Sequence, residues 1–210
     1  MTADARLADE TLQIFEVLER KVILPKTKHL LVSPFTSRTG FEKLIKKEIK
    51  LAKAGKKAYM ILKMNSLEDQ GMIEKLYEAS CAGVQIKLII RGMCCLVPGV
   101  KNLSENIEVV SVIDRFLEHA RVYIFGNDGK EKMYLASADW MTRNLDRRVE
   151  VVFPIYSQDV FQELRDIIDL QLADNLKARI INKAQDNPYV TNDKAPIACQ
   201  MAIYESLKKT

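Results

Sequence analysis

Aromatic residues are scarce in this 210-residue sequence: 7% of the chain, with a single tryptophan. That argues against a base-stacking surface for single-stranded nucleic acid, so no nucleic-acid partner is expected. Histidine is scarcer still, with two residues, His29 and His119. The cysteines are Cys81, Cys94, Cys95 and Cys199, with no C-x-x-C pair and with His29 remote from all of them. This spacing excludes the usual zinc patterns, and no metal site is expected within the chain. Scattered thiols fit a reducing compartment, and the vicinal Cys94-Cys95 pair is compatible with a redox switch. No apolar run approaches the roughly 20 residues needed to span a bilayer. Residues 1–20 are charged and amphipathic, without the apolar core of a secretory leader. A cytoplasmic protein without integral membrane contact is expected, and peripheral attachment stays open. The formal net charge of +4 is too small to name a polyanionic partner by itself.

What the sequence does have is alternation. Residues 5–19 predict an amphipathic helix with Leu7, Leu12, Ile14, Phe15 and Leu18 on one face. A short buried strand over 29–34 is stopped by Pro34. Residues 39–55 predict a helix with Thr39 as N-cap and Gly55 as terminator. A strand (56–64), a helix (68–82) and a strand (84–90) follow. This β-α-β-α-β run predicts parallel pairing with covering helices. The second half changes character, with strands over 107–113, 120–125, 132–138 and 148–155. Gly126-Asn127-Asp128-Gly129 is a hairpin signal. Helices are expected over 157–175 and 195–207, and 183–195 reads as a loose polar connector. The expected fold class is α/β: a mixed sheet that starts parallel, with helices on both faces.

Some stretches carry candidate chemistry. Lys43, Lys46, Lys47 and Lys50, with Lys53 and Lys57, fall within an arc of roughly 120° on the 39–55 helix. They form either an ordinary solvated face or a track for a polyanion, which would neutralise their mutual repulsion. Arg91 ends an apolar strand and is followed at once by Gly92. Ligands of open α/β sheets bind off the carboxyl ends of strands, where a guanidinium can fork onto a phosphate. The alternative is a structural ion pair. His119 and Arg121 stand two apart at the mouth of another apolar strand, which puts both side chains on one face. Imidazole serves in proton transfer near neutrality, and arginine stabilises charge on a moving phosphoryl group. A lone histidine is more commonly structural, and its arginine neighbour evens the balance. Finally, Ser137, Asp139, Arg143, Asn144, Asp146, Arg147, Arg148 and Glu150 crowd one short connection between strands, the kind of place where sites lie.

The runs RGMCCLVPGV, VIDRFLEHARVYIFGN and YLASADWMTRNLDRRVEV resemble the C-terminal part of bacterial polyphosphate kinases. LVSPFTSR, LKMNSLEDQGMIEKLYEAS and NLKARIINKAQDNPYV fit the same family, so the resemblance covers nearly the whole chain. These enzymes move the terminal phosphate of ATP onto polyphosphate. Their catalytic core resembles the phospholipase D fold, in which two α/β halves each supply a histidine, and this chain resembles the second half. His119 stands for that histidine. Arg121 replaces the lysine two residues on, Ala136-Ser137-Ala138-Asp139 replaces a Gly-Ser-x-Asn-like segment, and Glu150 falls where a glutamate is found. Those departures count against phosphodiesterase chemistry.

The resemblance implies that Arg91, His119 and Arg148 bind ATP phosphates, with Arg121 counted among the phosphate-binding residues beside them, and that His119 serves as acid or base. Ser137, Asp139 and Glu150 would support them. It also implies that the phosphorylated histidine, the magnesium-linked arginines and the contacts to the base lie outside this chain. On that basis residues 1–22 are expected to lead from a missing upstream half. Residues 23–182 would be the catalytic domain, and 183–210 a connector with a terminal helix. The partners implied are ATP, ADP, polyphosphate, the upstream half and further copies of the full enzyme. Two other functions stay open: a phosphodiesterase half completed by dimerisation, and a non-catalytic module that binds polyanions through the lysine face.

Overall fold

The computed structural model describes residues 3–208. In chain order the elements are α1 (Ala5–Leu18), β1 (Leu31–Ser33), α2 (Ser37–Lys53), β2 (Tyr59–Met64), α3 (Gln70–Cys81), β3 (Gln85–Ile90), β4 (Ile107–Val112) and β5 (Val122–Phe125). A single 3-10 turn at Asn127–Gly129 leads to β6 (Lys132–Ala136), α4 (Thr142–Asp146), β7 (Glu150–Pro154), α5 (Gln158–Ala173), β8 (Ala178–Ile181) and α6 (Cys199–Leu207).

The strands form one mixed sheet in the order β1-β7-β6-β5-β2-β3-β4-β8. Only β2-β3-β4 pair in parallel; every other neighbouring pair is antiparallel. The mixed α/β class expected from the sequence holds. The expected parallel pairing of the first strand does not: β1 sits at the edge, bonded antiparallel to β7. At three residues β1 is too short to signal its partner. Its position follows from α2 crossing three intervening strands before β2 begins.

The core lies between the sheet and α2 and α3. Phe41 and Ile45 of α2 meet Met60, Leu62 and Leu88 of the parallel strands. Phe41, Tyr123 and Trp140 cluster there, with Tyr123 and Trp140 stacked at 5.5 Å. Each such side chain contributes about 1.5–3 kcal/mol when fully buried. The opposite face packs Ile61, Ile89, Ile124 and Met133 against Ile168 of α5, and α6 packs on α5.

Several boundaries differ from the sequence reading. Helix α2 begins at Ser37 with Thr36 in the N-cap position but without a side-chain capping bond, and Thr39 lies inside the first turn with its hydroxyl donating to the Thr36 carbonyl (3.2 Å). The Thr36 hydroxyl accepts from the Val32 amide, so β1 and α2 are joined by one tight turn. Gly55 follows the helix with φ +71°, the left-handed backbone that a terminator requires. Strands β5 and β6 are shorter than expected, because residues 117–121 and 137–140 are drawn off the sheet. On α1 only Leu7 and Ile14 of the expected apolar face are buried; Leu12, Phe15 and Leu18 are exposed. Glu10 shares the buried stripe, where its carboxylate accepts the amides of Lys28, His29 and Leu30. The stretch 183–195 is tied down rather than loose. The Ile180 amide donates to the Pro188 carbonyl (2.8 Å) and the Val190 amide to the Ala178 carbonyl (2.9 Å). Strand β8 and helix α4 were not anticipated, and α6 starts at Cys199.

Candidate active site

Strand direction explains the site. Strands β1, β2, β3, β4 and β6 run one way, and β5, β7 and β8 run the other. The carboxyl ends of β2, β3 and β6 therefore share one end of the sheet with the amino ends of β5 and β7. Those ends carry Asn65, Arg91, Ser137, Arg121 and Glu150 in turn. An open cleft of about 580 Å³ lies there, walled by His119, Arg121, Ser137, Asp139, Arg148 and Glu150 among others.

His119 is exposed, in the irregular segment before β5 rather than in the strand itself. Arg91 holds it from one side, with Nη2 3.1 Å from His119 Nδ1. A guanidinium can only donate. Nδ1 is therefore the accepting nitrogen, and the neutral ring carries its proton on Nε2. Arg91 Nε donates to Asn65 Oδ1 (2.6 Å).

Arg121 lines the cleft, and its guanidinium is engaged by neighbouring protein groups. Its Nε and Nη2 fork onto Asp139 Oδ1 and Oδ2 at 3.0 and 3.1 Å, and Nη1 donates to the His119 carbonyl (3.0 Å). Asp139 also accepts from the Asn65 backbone amide (2.7 Å). Burial raises the Asp139 pKa, but the Arg121 fork and the Asn65 amide outweigh it and hold the carboxyl below its ordinary value. The Arg121–Asp139 pair is thus a buried brace under the histidine loop.

Glu150 is a second brace. One oxygen binds the Ser137 hydroxyl, and the other accepts from Asn144 Nδ2 (3.1 Å) and forms an ion pair with Arg148, whose Nε lies 3.2 Å away. Arg148 is exposed, with 59% of its side chain open to solvent beside the buried Glu150. The floor is fixed from below by Arg38, whose guanidinium bridges Asp69 (2.7 Å) and Asp146 (2.7 Å) and so joins α2 to α3 and α4.

Of the residues singled out in the sequence, the structure gathers Arg91, His119, Arg121, Ser137, Asp139, Arg148 and Glu150. It leaves Lys43, Lys46, Lys47 and Lys50 outside: all are exposed, and none lines the cleft. Lys47 bonds Asn127 in the turn at the far end of β5. Asn144, named in the sequence only as one of the crowded polar residues of 137–150, lines the cleft, and so does Asn65, which the sequence reading missed. Asn65 follows a strand, as Arg91 does, and that position was its signal. Among the described residues no group of three His, Cys, Asp or Glu side chains is placed to hold a metal ion.

Comparison with known proteins fits this geometry. Residues 30–200 match the sequence profile described as Polyphosphate kinase C-terminal domain 2. The chain belongs to this family. It is 49% identical over 209 residues to a polyphosphate kinase of Vibrio cholerae, covering 99% of this chain and 30% of that protein. It is 42% identical, with the same coverage, to the polyphosphate kinase of Escherichia coli K12. The chain thus spans under a third of the length of the curated relatives it matches. A crystal structure of polyphosphate kinase from Porphyromonas gingivalis superposes with TM-score 0.96 at 41% identity, covering 100% of this chain and 32% of that one. Nuc from Salmonella typhimurium, a phospholipase D family member, superposes with TM-score 0.53 at 13% identity over 73% of this chain and 97% of its own, a likeness of fold alone.

Proposed function

We propose that this domain supplies one wall of a phosphoryl-transfer site that binds ATP and polyphosphate, the substrates that the relatives' name implies. The observation that carries the reading is the convergence of Arg91, His119 and Arg148 at one end of the sheet, in a chain of this family. Arg148 keeps its outer guanidinium nitrogens for phosphate oxygens. Arg91 fixes the imidazole so that Nε2 faces the incoming group as a hydrogen-bond donor. Arg121 supports them from beneath as a positioning residue.

Transfer moves the terminal phosphoryl group of ATP to an acceptor, and ADP leaves. In this reading the acceptor is a histidine in the other part of the full protein. That part also supplies the base contacts and any magnesium ligands. Asp139 and Glu150 are committed to Arg121, Asn65, Ser137, Asn144 and Arg148, so they do not suit a magnesium ion. The full protein would work in the cytoplasm as an oligomer.

The test is a calorimetric titration of ATP into the purified chain, with Arg91→Ala and His119→Ala alongside. Binding by the wild type that weakens about tenfold or more in either variant supports the reading. Equal affinity in all three overturns it.

A further inference from the structure

The segment that carries His119 is poorly anchored by apolar burial. Between β4 and β5 it has no regular structure, and Ile113, Phe116 and Leu117 are exposed. Besides the Arg121 bond to the His119 carbonyl, a polar clasp from β2, α5 and α6 holds it, through side chains that do not line the cleft. Gln200, buried on α6, grips both main-chain groups of Phe116: the Phe116 amide donates to Gln200 Oε1 (2.8 Å), and Gln200 Nε2 donates to the Phe116 carbonyl (2.8 Å). The same Nε2 reaches Glu118 Oε1 at 3.2 Å. The other oxygen of Glu118 receives Lys63 Nζ and Gln171 Nε2, and Lys63 Nζ also donates to Gln171 Oε1 (2.8 Å).

Lys63 is a buried cation near the end of β2, at a position where the strand otherwise places Tyr59 and Ile61 on the α5 face. Burying a charge costs several kcal/mol unless it is paired and bonded, so a lysine here requires Glu118 beneath it. Glu118 immediately precedes His119. Gln200 is placed in turn by Asp174, which accepts the amide of Cys199 at the start of α6 (2.7 Å).

We infer that Gln200, Lys63, Glu118 and Gln171 are positioning residues that set the backbone of residues 116–118 and thereby fix the His119 ring against Arg91. The C-terminal helix thus governs the cleft from the opposite face of the sheet. The inference deepens the phosphoryl-transfer reading by naming what holds its histidine in place.

The test uses Gln200→Leu, with the double substitution Lys63→Met/Glu118→Gln as the second variant. The exposed Phe116 can bond water once Gln200 is gone, so the sheet is expected to stay folded, which circular dichroism checks. The primary readout is the pair of imidazole nitrogen shifts of His119 by NMR at mildly alkaline pH, assigned by their loss in His119→Ala, with His29 as internal control. In the wild type Nδ1 is the unprotonated nitrogen. In both variants the two shifts converge toward those of a free, tautomer-averaged ring while His29 stays put. Unchanged His119 shifts in the folded variants overturn the inference, as does an equal movement of His29. The second readout is ATP affinity. Gln200→Leu weakens it roughly fivefold in the wild-type background and less than about twofold when His119 is already alanine, the signature of acting through that ring. Additive losses overturn the inference. The NMR readout needs no nucleotide, so failure of ATP to bind would sink the phosphate reading and leave the clasp to be judged on the spectrum.

Discussion

Arg121 and Asp139 face each other across two nearly equal hydrogen bonds, 3.0 and 3.1 Å, with both side chains largely buried beneath the loop of His119. A lysine at 121 could not reproduce this parallel pair of bonds from two nitrogens, since an ammonium is a compact point charge and a guanidinium a planar fork.

Arg121→Ala is therefore expected to cost about 3–5 kcal/mol, because it strands a buried carboxylate. The melting temperature checks this. A cost below about 1 kcal/mol would mean that water replaces the arginine freely.

The same pair gives the protein an acid limit. Asp139 has its carboxyl depressed below the ordinary value, so its contribution is complete above the unfolded-state pKa of about 4 and disappears as pH falls through the folded-state value. Asp69 and Asp174 are depressed too, by Arg38 and by backbone amides respectively, in each case against burial. Stability is expected to decline below about pH 4, and the gap between wild type and Asp139→Asn to close over that range. A gap independent of pH would contradict the assignment.

Asn65 joins Arg91 to this brace: its Oδ1 accepts Arg91 Nε at 2.6 Å and its Nδ2 reaches Asp139 at 3.2 Å. Asn65→Leu removes a bond to a charged group, of about 1.5–3 kcal/mol. ATP affinity is expected to fall about tenfold by calorimetry. Undiminished affinity would show that Arg91 holds its position without the amide.

Gly92 is a packing requirement. A Cβ there would lie 2.8 Å from the Asn65 carbonyl oxygen, which also accepts the Gly92 amide at 2.8 Å. Because the obstacle is backbone, Gly92→Ala must push the end of β3 away from β2, at about 1–3 kcal/mol. Thermal melting and ATP titration are both expected to register it.

The lysine face is expected to be separable from the cleft. Lys43→Glu/Lys46→Glu/Lys50→Glu reverses exposed charges that line no part of it. ATP affinity should change less than about twofold at physiological salt, since screening acts over about 8 Å. A large loss would revive the polyanion track.

The sequence by itself determined most of the elements, β8 and α4 excepted, and most of the cast. Arg91 was legible because an arginine that ends an apolar strand before glycine has nowhere to go but the carboxyl end of the strands. His119 was legible because histidines are rare here and this one precedes an apolar run. Family membership was carried by long contiguous motifs around both.

Tertiary structure alone decided who holds whom. The edge place of β1 depends on pairing with β7, a strand far along the chain, and nothing local to three residues encodes it. The diversion of Arg121 onto Asp139, the bridging role of Asn65 and the grip of Gln200 on Phe116 join residues far apart in sequence. Each looks in isolation like an ordinary polar residue of a strand end or helix. Periodicity reports which face a residue takes within its own element. Hydrogen-bond partners across the sheet are set by the order and direction of strands, and here that order brought the ends of β2, β3, β5, β6 and β7 to one place.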